Sequence, residues 1–179
     1  FTIVWQDDVF QSVFGDLTFA RNFRTPLDTI GLYNPASATF FLRNSNTTGT
    51  ADITPFNLGT IGPPRWYPIA GDWDGDGVTT IGVYEPTGAT FFLKNSNTVG
   101  VADITINFGS PNWIPIAGDW DGDGIDTIGA YDRQSSTFFL RNSNTTGVAD
   151  ITANYGPTNL TWTPVTGDWN GDGVDTIGL

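Results

Sequence analysis

The strongest constraint on this chain is that it repeats itself. The stretches DTIGLYNPASATFFLRNSNTTGTADIT from Asp28, TTIGVYEPTGATFFLKNSNTVGVADIT from Thr79 and DTIGAYDRQSSTFFLRNSNTTGVADIT from Asp126 align without a gap, and a fourth copy opens at Asp175 with DTIGL. A unit of roughly 50 residues cannot bury a core alone, so neighbouring units must cover one another's apolar faces. In the third copy, four runs rich in β-branched and aromatic residues, at 113–120, 127–133, 136–144 and 149–156, are separated by Asp-Gly, Gln-Ser-Ser and Thr-Thr-Gly turn chemistry. No stretch shows a 3.6-residue apolar period. The expectation is an all-β chain built from four-stranded antiparallel meanders.

That unit has the length of one four-stranded β-propeller blade. The chain then divides into a half blade at 1–15, a blade at 17–60, blades at 66–109 and 113–156, and a half blade at 162–179. FTIVWQ (1–6) and VFQSVFG (9–15) match strands three and four in order and length, while TWTPVTGDW and DTIGL supply strands one and two. LTFARNFRTPLDTIG from Leu17 aligns on PIAGDWDGDGIDTIG from Pro115, which completes four blades' worth with one blade split between the ends. Unpaired strand edges demand partners. Either the half blades clasp within one chain and close a ring, or they pair between chains and propagate to a larger ring or a filament.

Charge points to the ligand class. There are 19 acids against 7 bases, a formal net charge of -12, and Glu85 is the only Glu. Such a chain repels phosphate backbones and anionic lipid, and no apolar run is long enough for a membrane helix, so nucleic acid and membrane insertion are not expected. Cys and His are absent, which removes a thiol nucleophile, a Ser-His-Asp triad and an ordinary zinc site. The acids concentrate in GDWDGDG at 71–77 and 118–124 and in GDWNGDG at 167–173, at alternate positions: Asp72, Asp74 and Asp76; Asp119, Asp121 and Asp123; Asp168, Asn170 and Asp172.

One Asp makes a turn, whereas three at alternate positions repel one another unless a cation sits among them. A hard ion taking 6 to 8 oxygens at about 2.3 to 2.6 Å suits such a loop, and the Gly after the third acid allows the sharp turn. The next residue, Val78, Ile125 or Val174, is placed to add a backbone carbonyl. Magnesium, which keeps its waters and strict octahedral geometry, fits less well than calcium.

The GDWDGDG loop followed by a TIGVY-type strand resembles the FG-GAP/VCBS family, the calcium-binding β-propeller repeats related to those of integrin α-subunits. The resemblance covers nearly everything after Leu17. It implies ligation through the first, third and fifth loop positions, the seventh carbonyl and a ninth-position acid: here Asp72, Asp74, Asp76 and the Val78 carbonyl, and the matching residues of the other two loops. Two departures stand out. The ninth position is Thr80, Thr127 or Thr176, with Asp126 and Asp175 one place earlier, so a hydroxyl, a water or a displaced carboxylate remains open as the last ligand. The first repeat has Arg21, Phe23 and Thr25 where the acids belong, and no calcium is expected there.

Trp66, Trp113 and Trp162, one per unit, read as packing plugs between blades rather than as sugar-stacking platforms. The RNSNTTG runs read as exposed, amide-rich hairpins, in which Asn46 and Asn144 begin Asn-x-Thr glycan-acceptor patterns; Asn159 begins a third. A catalytic group should be singular, yet the acids recur unit by unit, and the singular Asp7, Asp8 and Asp16 have no partner base. The expected function is a non-enzymatic, extracellular or cell-surface structural or adhesive module, stabilised by calcium and self-associating through its sheet edges. The alternative is a closed propeller that binds carbohydrate or other surface proteins within a larger secreted protein.

Overall fold

The computed structural model describes residues 29–158 and 161–179, together with the backbone of three strands nearer the N-terminus. Phe23, Thr25, Asp7, Asp8, Asp16 and Asn159, which carry expectations above, lie outside the described residues. Every regular element is a strand: β1 (Trp5–Gln6), β2 (Val9–Phe14), β3 (Leu17–Asn22), β4 (Gly31–Asn34), β5 (Thr39–Leu42), β6 (Phe56–Asn57), β7 (Tyr67–Gly71), β8 (Thr80–Glu85), β9 (Thr90–Leu93), β10 (Ile104–Asn107), β11 (Ile114–Gly118), β12 (Thr127–Asp132), β13 (Thr137–Leu140), β14 (Ile151–Asn154), β15 (Val165–Gly167) and β16 (Thr176–Gly178).

The second and third repeats form four-stranded antiparallel meanders, β7 to β10 and β11 to β14, and β15 pairs with β16 as the first two strands of the next. One pairing departs from the repeat. β3 occupies the place of a first strand in the sequence, but it pairs with β2 along Val9↔Asn22 to Phe14↔Leu17, leaving β4, β5 and β6 as a three-stranded sheet. The DWDGDG loop that brings β7 back onto β8 and β11 back onto β12 is the element missing between β3 and β4. Without it β3 pairs with the strand before it.

The second strands of the two complete repeats, β8 and β12, are interior in their sheets and packed between neighbouring sheets. In β8 and β12 five consecutive residues are buried, so the period-2 alternation seen in β9 and β13 is absent there. Gly82 and Gly129 sit in these strands because a Cβ would come within 2.8 Å of the Leu93 and Ile116 side chains respectively. The turn before each third strand ends on a small residue in the left-handed region, Ala38, Ala89 or Ser136. That conformation costs about 1 kcal/mol in an L-residue. Here it aims a carbonyl at the N–H of Leu58, Phe108 or Tyr155, beside the fourth strand.

Among the described residues the core is divided into three clusters, each between consecutive sheets. Phe40, Phe56 and Leu58 meet Ile81 and Val83; Tyr84, Phe91, Leu93, Ile106 and Phe108 meet Ile128 and Ala130; Ile116, Tyr131, Phe138 and Leu140 meet Ile177 and Leu179. The same joint recurs from one sheet to the next, as in repeat proteins whose units contact their immediate neighbours. Trp66 stacks on Phe92 at 5.0 Å between centroids, and Trp113 on Phe139 at 4.4 Å, both nearly parallel, so these tryptophans pack within the stack. The first strands lie beside one another, β7 against β11 and β11 against β15, where the Thr166 hydroxyl donates to the Ala117 carbonyl at 2.9 Å. Among the described residues the sheets do not close into a barrel or ring.

Candidate metal centre

The three acidic loops share one geometry, set by the first aspartate. Asp72 accepts N–H bonds from Gly75 at 2.8 Å and Asp76 at 3.2 Å on Oδ1, and from Gly77 at 2.7 Å on Oδ2. Asp119 and Asp168 repeat all three bonds within their own loops. The third acid accepts from the N–H two residues on: Val78 to Asp76, Ile125 to Asp123 and Val174 to Asp172, at 2.8 to 2.9 Å. Gly75 and Gly77 lie at φ 74° and 84°, as do their counterparts nearby, a region where a Cβ is strained. The N–H groups, led by that of Gly173, hold the Asp168 carboxyl below the usual carboxylate range.

The loop backbone therefore gathers the carboxylates before any ion is considered. One oxygen from each of Asp72, Asp74 and Asp76 lies within 4.8 Å of the others, and Asp119, Asp121 and Asp123 do the same. Two ligands on opposite sides of a hard cation stand about 4.6 to 5.2 Å apart, so one ion can touch all three oxygens. These two triads can hold a metal ion. The first aspartate has already used three of its four lone-pair directions on N–H groups, which leaves it a single oxygen to offer. Among the described residues Asp74 and Asp121 make no protein hydrogen bond, so their carboxylates are open. The third loop is poorer: Asn170 replaces the middle acid and donates from Nδ2 to Asp172 at 2.9 Å.

The ninth-position threonines face elsewhere. Thr80 and Thr127 are buried, and their hydroxyls donate at 2.6 Å to the Lys94 and Arg141 carbonyls, tying the second strand to the end of the third. The eighth-position aspartates turn away from their own loops and bridge the repeats. Asp126 Oδ2 accepts the Asp72 N–H at 2.7 Å, and the Asp126 N–H donates to the Asp72 carbonyl at 2.8 Å; Asp175 makes the same pair with Asp119 at 3.0 and 2.7 Å. Burial pushes the Asp126 carboxyl upward in pKa, and the Asp72 N–H pulls it back. Ile125 and Val174, expected for their carbonyls, also pack side chains 3.0 Å from where a Cβ would stand on Gly75 and Gly122 of the loop before. Each loop is thus fastened to the next. In chelator, Asp126→Ala should cost about 1 to 2 kcal/mol through the stranded Asp72 N–H, whereas Asp74→Ala should stay within about 0.5 kcal/mol; urea unfolding of both variants checks this.

The RNSNTTG runs are largely exposed, as expected, but each also wraps a basic side chain that lies mostly out of solvent. Arg141 donates to the Val148 carbonyl at 2.7 Å and to Thr145 at 2.8 Å, and pairs with Asp150 at 3.2 Å. Lys94 bonds the Val101 carbonyl at 3.0 Å, and Arg43 pairs with Asp52 at 3.5 Å. Asp52, Asp103 and Asp150 also accept the N–H of Asn44, Asn95 and Asn142. The signal available in the sequence was the basic residue recurring right after each FFL run; its sign looked ordinary for a surface loop. Asn144 is half-buried and its Nδ2 donates to the Asp126 carbonyl at 2.9 Å and the Trp73 carbonyl at 3.3 Å, bonds that a glycan on this nitrogen would have to break. Asn46 is exposed.

Comparison with protein-family models, with curated proteins and with solved structures finds no match.

Proposed function

We propose that this chain is a non-enzymatic, calcium-stabilised repeat module of the FG-GAP/VCBS type. Its four-stranded sheets act as β-propeller-type blades in an extracellular or cell-surface structural or adhesive assembly of self-associating copies. The observation that carries the reading is the pair of aspartate triads, each gathered within 4.8 Å on a loop already folded by its own N–H groups. Calcium is favoured over magnesium by an all-oxygen, mostly carboxylate donor set that can supply several ligands from one flexible loop. Extracellular calcium, at roughly millimolar levels, would fill sites of modest affinity.

Among the described residues the remaining acids have structural employment, which supports a scaffold over an enzyme. Glu85 accepts from the N–H groups of Thr87 and Gly88, and Asp132 accepts from Gln134 and Ser135, in the same turn of successive repeats. Asp103 and Asp150 close the cation loops described above. Self-association is supported by the unpaired edge of β16 among the described strands.

Terbium offers a direct test, because Trp73, Trp120 and Trp169 lie inside the loops and can sensitise its emission. Excitation of tryptophan should give terbium luminescence that calcium displaces and magnesium displaces far less well. Asp74→Ala combined with Asp121→Ala should remove most of the signal. Emission unaffected by either calcium or the double substitution would end the calcium reading.

A further inference from the structure

Each sheet of the stack has a leading face, turned to the sheet before it, and a trailing face, turned to the sheet after it. On the leading face Ile81 and Val83, and one repeat later Ile128 and Ala130, are buried against the preceding sheet. At the same positions of the first repeat, Ile30 and Leu32 are 54% and 73% exposed. The trailing face ends in the same way. Trp73 and Trp120 are 3% and 5% exposed, covered by the following repeat, while Trp169 is 62% exposed. Val165 beside it is exposed too, although its counterpart Ile116 is buried.

The polar half of the joint follows the same pattern. The eighth loop position is Asp in the repeats whose preceding loop is intact, Asp126 after the Asp72 loop and Asp175 after the Asp119 loop. It is Thr79 in the repeat whose preceding segment carries Arg21 in place of the first acid. The first repeat has Asp28 at that position, and the Asp168 loop is the intact loop with no such aspartate opposite it among the described residues. An exposed apolar surface at the start of the described stack thus corresponds to an exposed apolar surface at its end, and the sequence keeps the aspartate of the joint at the eighth loop position of the first repeat.

We propose that Val165 and Trp169 form a docking surface for a second copy of this chain, which presents Ile30 and Leu32. The contact continues the joint already made twice within the chain. Both faces are open in one structure, and because they are different surfaces the association is heterologous, running head to tail. This rests on the self-association proposed above and assigns it a sheet face in addition to the β16 edge, and it does not depend on which cation the loops take.

Analytical ultracentrifugation of the full chain over a concentration series tests it. The average mass should rise with concentration for the wild type. Leu32→Asp and Trp169→Ser should each raise the dissociation constant about thirtyfold or more, the effect of removing a central anchor. Both side chains are exposed, so melting temperatures close to that of the wild type should show that the variants fold. An equimolar mixture of the two variants should recover a 1:1 dimer that grows no further, because each retains one intact face. A wild type that stays monomeric throughout, as closure within one chain would make it, overturns the proposal, and so does a mixture that stays monomeric. Association that persists without terbium binding would remove the calcium reading and leave this one standing; terbium binding by a strict monomer would do the reverse.

Discussion

In calcium the chain should melt about 10 to 20 °C higher than in chelator. The magnitude follows from linkage. An ion that binds only the folded state stabilises by RT ln(1 + [L]/Kd), about 2.7 kcal/mol per site at a hundredfold excess over Kd, and two full triads then contribute about 5 kcal/mol. For a chain of this length each kcal/mol moves the midpoint by about 2 to 4 °C. The source of the effect is local: N–H bonds to the first and third aspartates fold each loop so that three like charges stand close together whether or not an ion is present. Removing the cation restores their repulsion in the folded state, while an unfolded chain can spread them. Asp168, Asn170 and Asp172 should contribute less, having one carboxylate fewer. Differential scanning calorimetry with and without chelator measures the shift, and coincident melts would show that the loops hold no ion.

Phe91→Ala should cost about 3 to 5 kcal/mol, the range for emptying a fully buried aromatic site. Phe91 has no exposed surface, and its ring lies 4.6 Å from that of Tyr84 inside the cluster that joins the second sheet to the third. In a linear stack such a loss falls on one joint, and total stabilities of about 5 to 15 kcal/mol leave little margin. The same substitution at Phe41, in the third strand of the first repeat, should cost less than about 1.5 kcal/mol, because that side chain is already partly in solvent. Urea denaturation of both variants in calcium gives the comparison, and equal losses would contradict a core that is divided between sheets.

Both predictions draw on features that the sequence displays openly. The ~50-residue repeat implied four strands per unit, and the sheets β7 to β10 and β11 to β14 have that order and antiparallel sense. The acid spacing implied grouped carboxylates, and two of the three loops bring three oxygens together. Other features were illegible for physical reasons. Arg141 and Lys94 are buried because loop carbonyls and hydroxyls turn inward to meet them, and a basic residue in a polar run carries no mark of that. Asp126 and Asp175 stand two residues beyond the loop's glycine, where nothing distinguishes a ligand of that loop from a bond to its neighbour. β3 reads as a first strand by alignment, yet it pairs backward because the loop that would carry it forward is degenerate.

The sequence by itself determined the unit, its strands and the gathering of acid at its loops, because these depend on turn chemistry and side-chain type over a few residues. Only the tertiary structure decided which side of each sheet is covered, where the eighth-position carboxylates go and which tryptophan is left in solvent. Those outcomes depend on what stands opposite a residue in the next repeat. That neighbour lies some 50 positions away, and the chemistry of Trp169 is identical to that of Trp73 until a sheet closes over one and not the other.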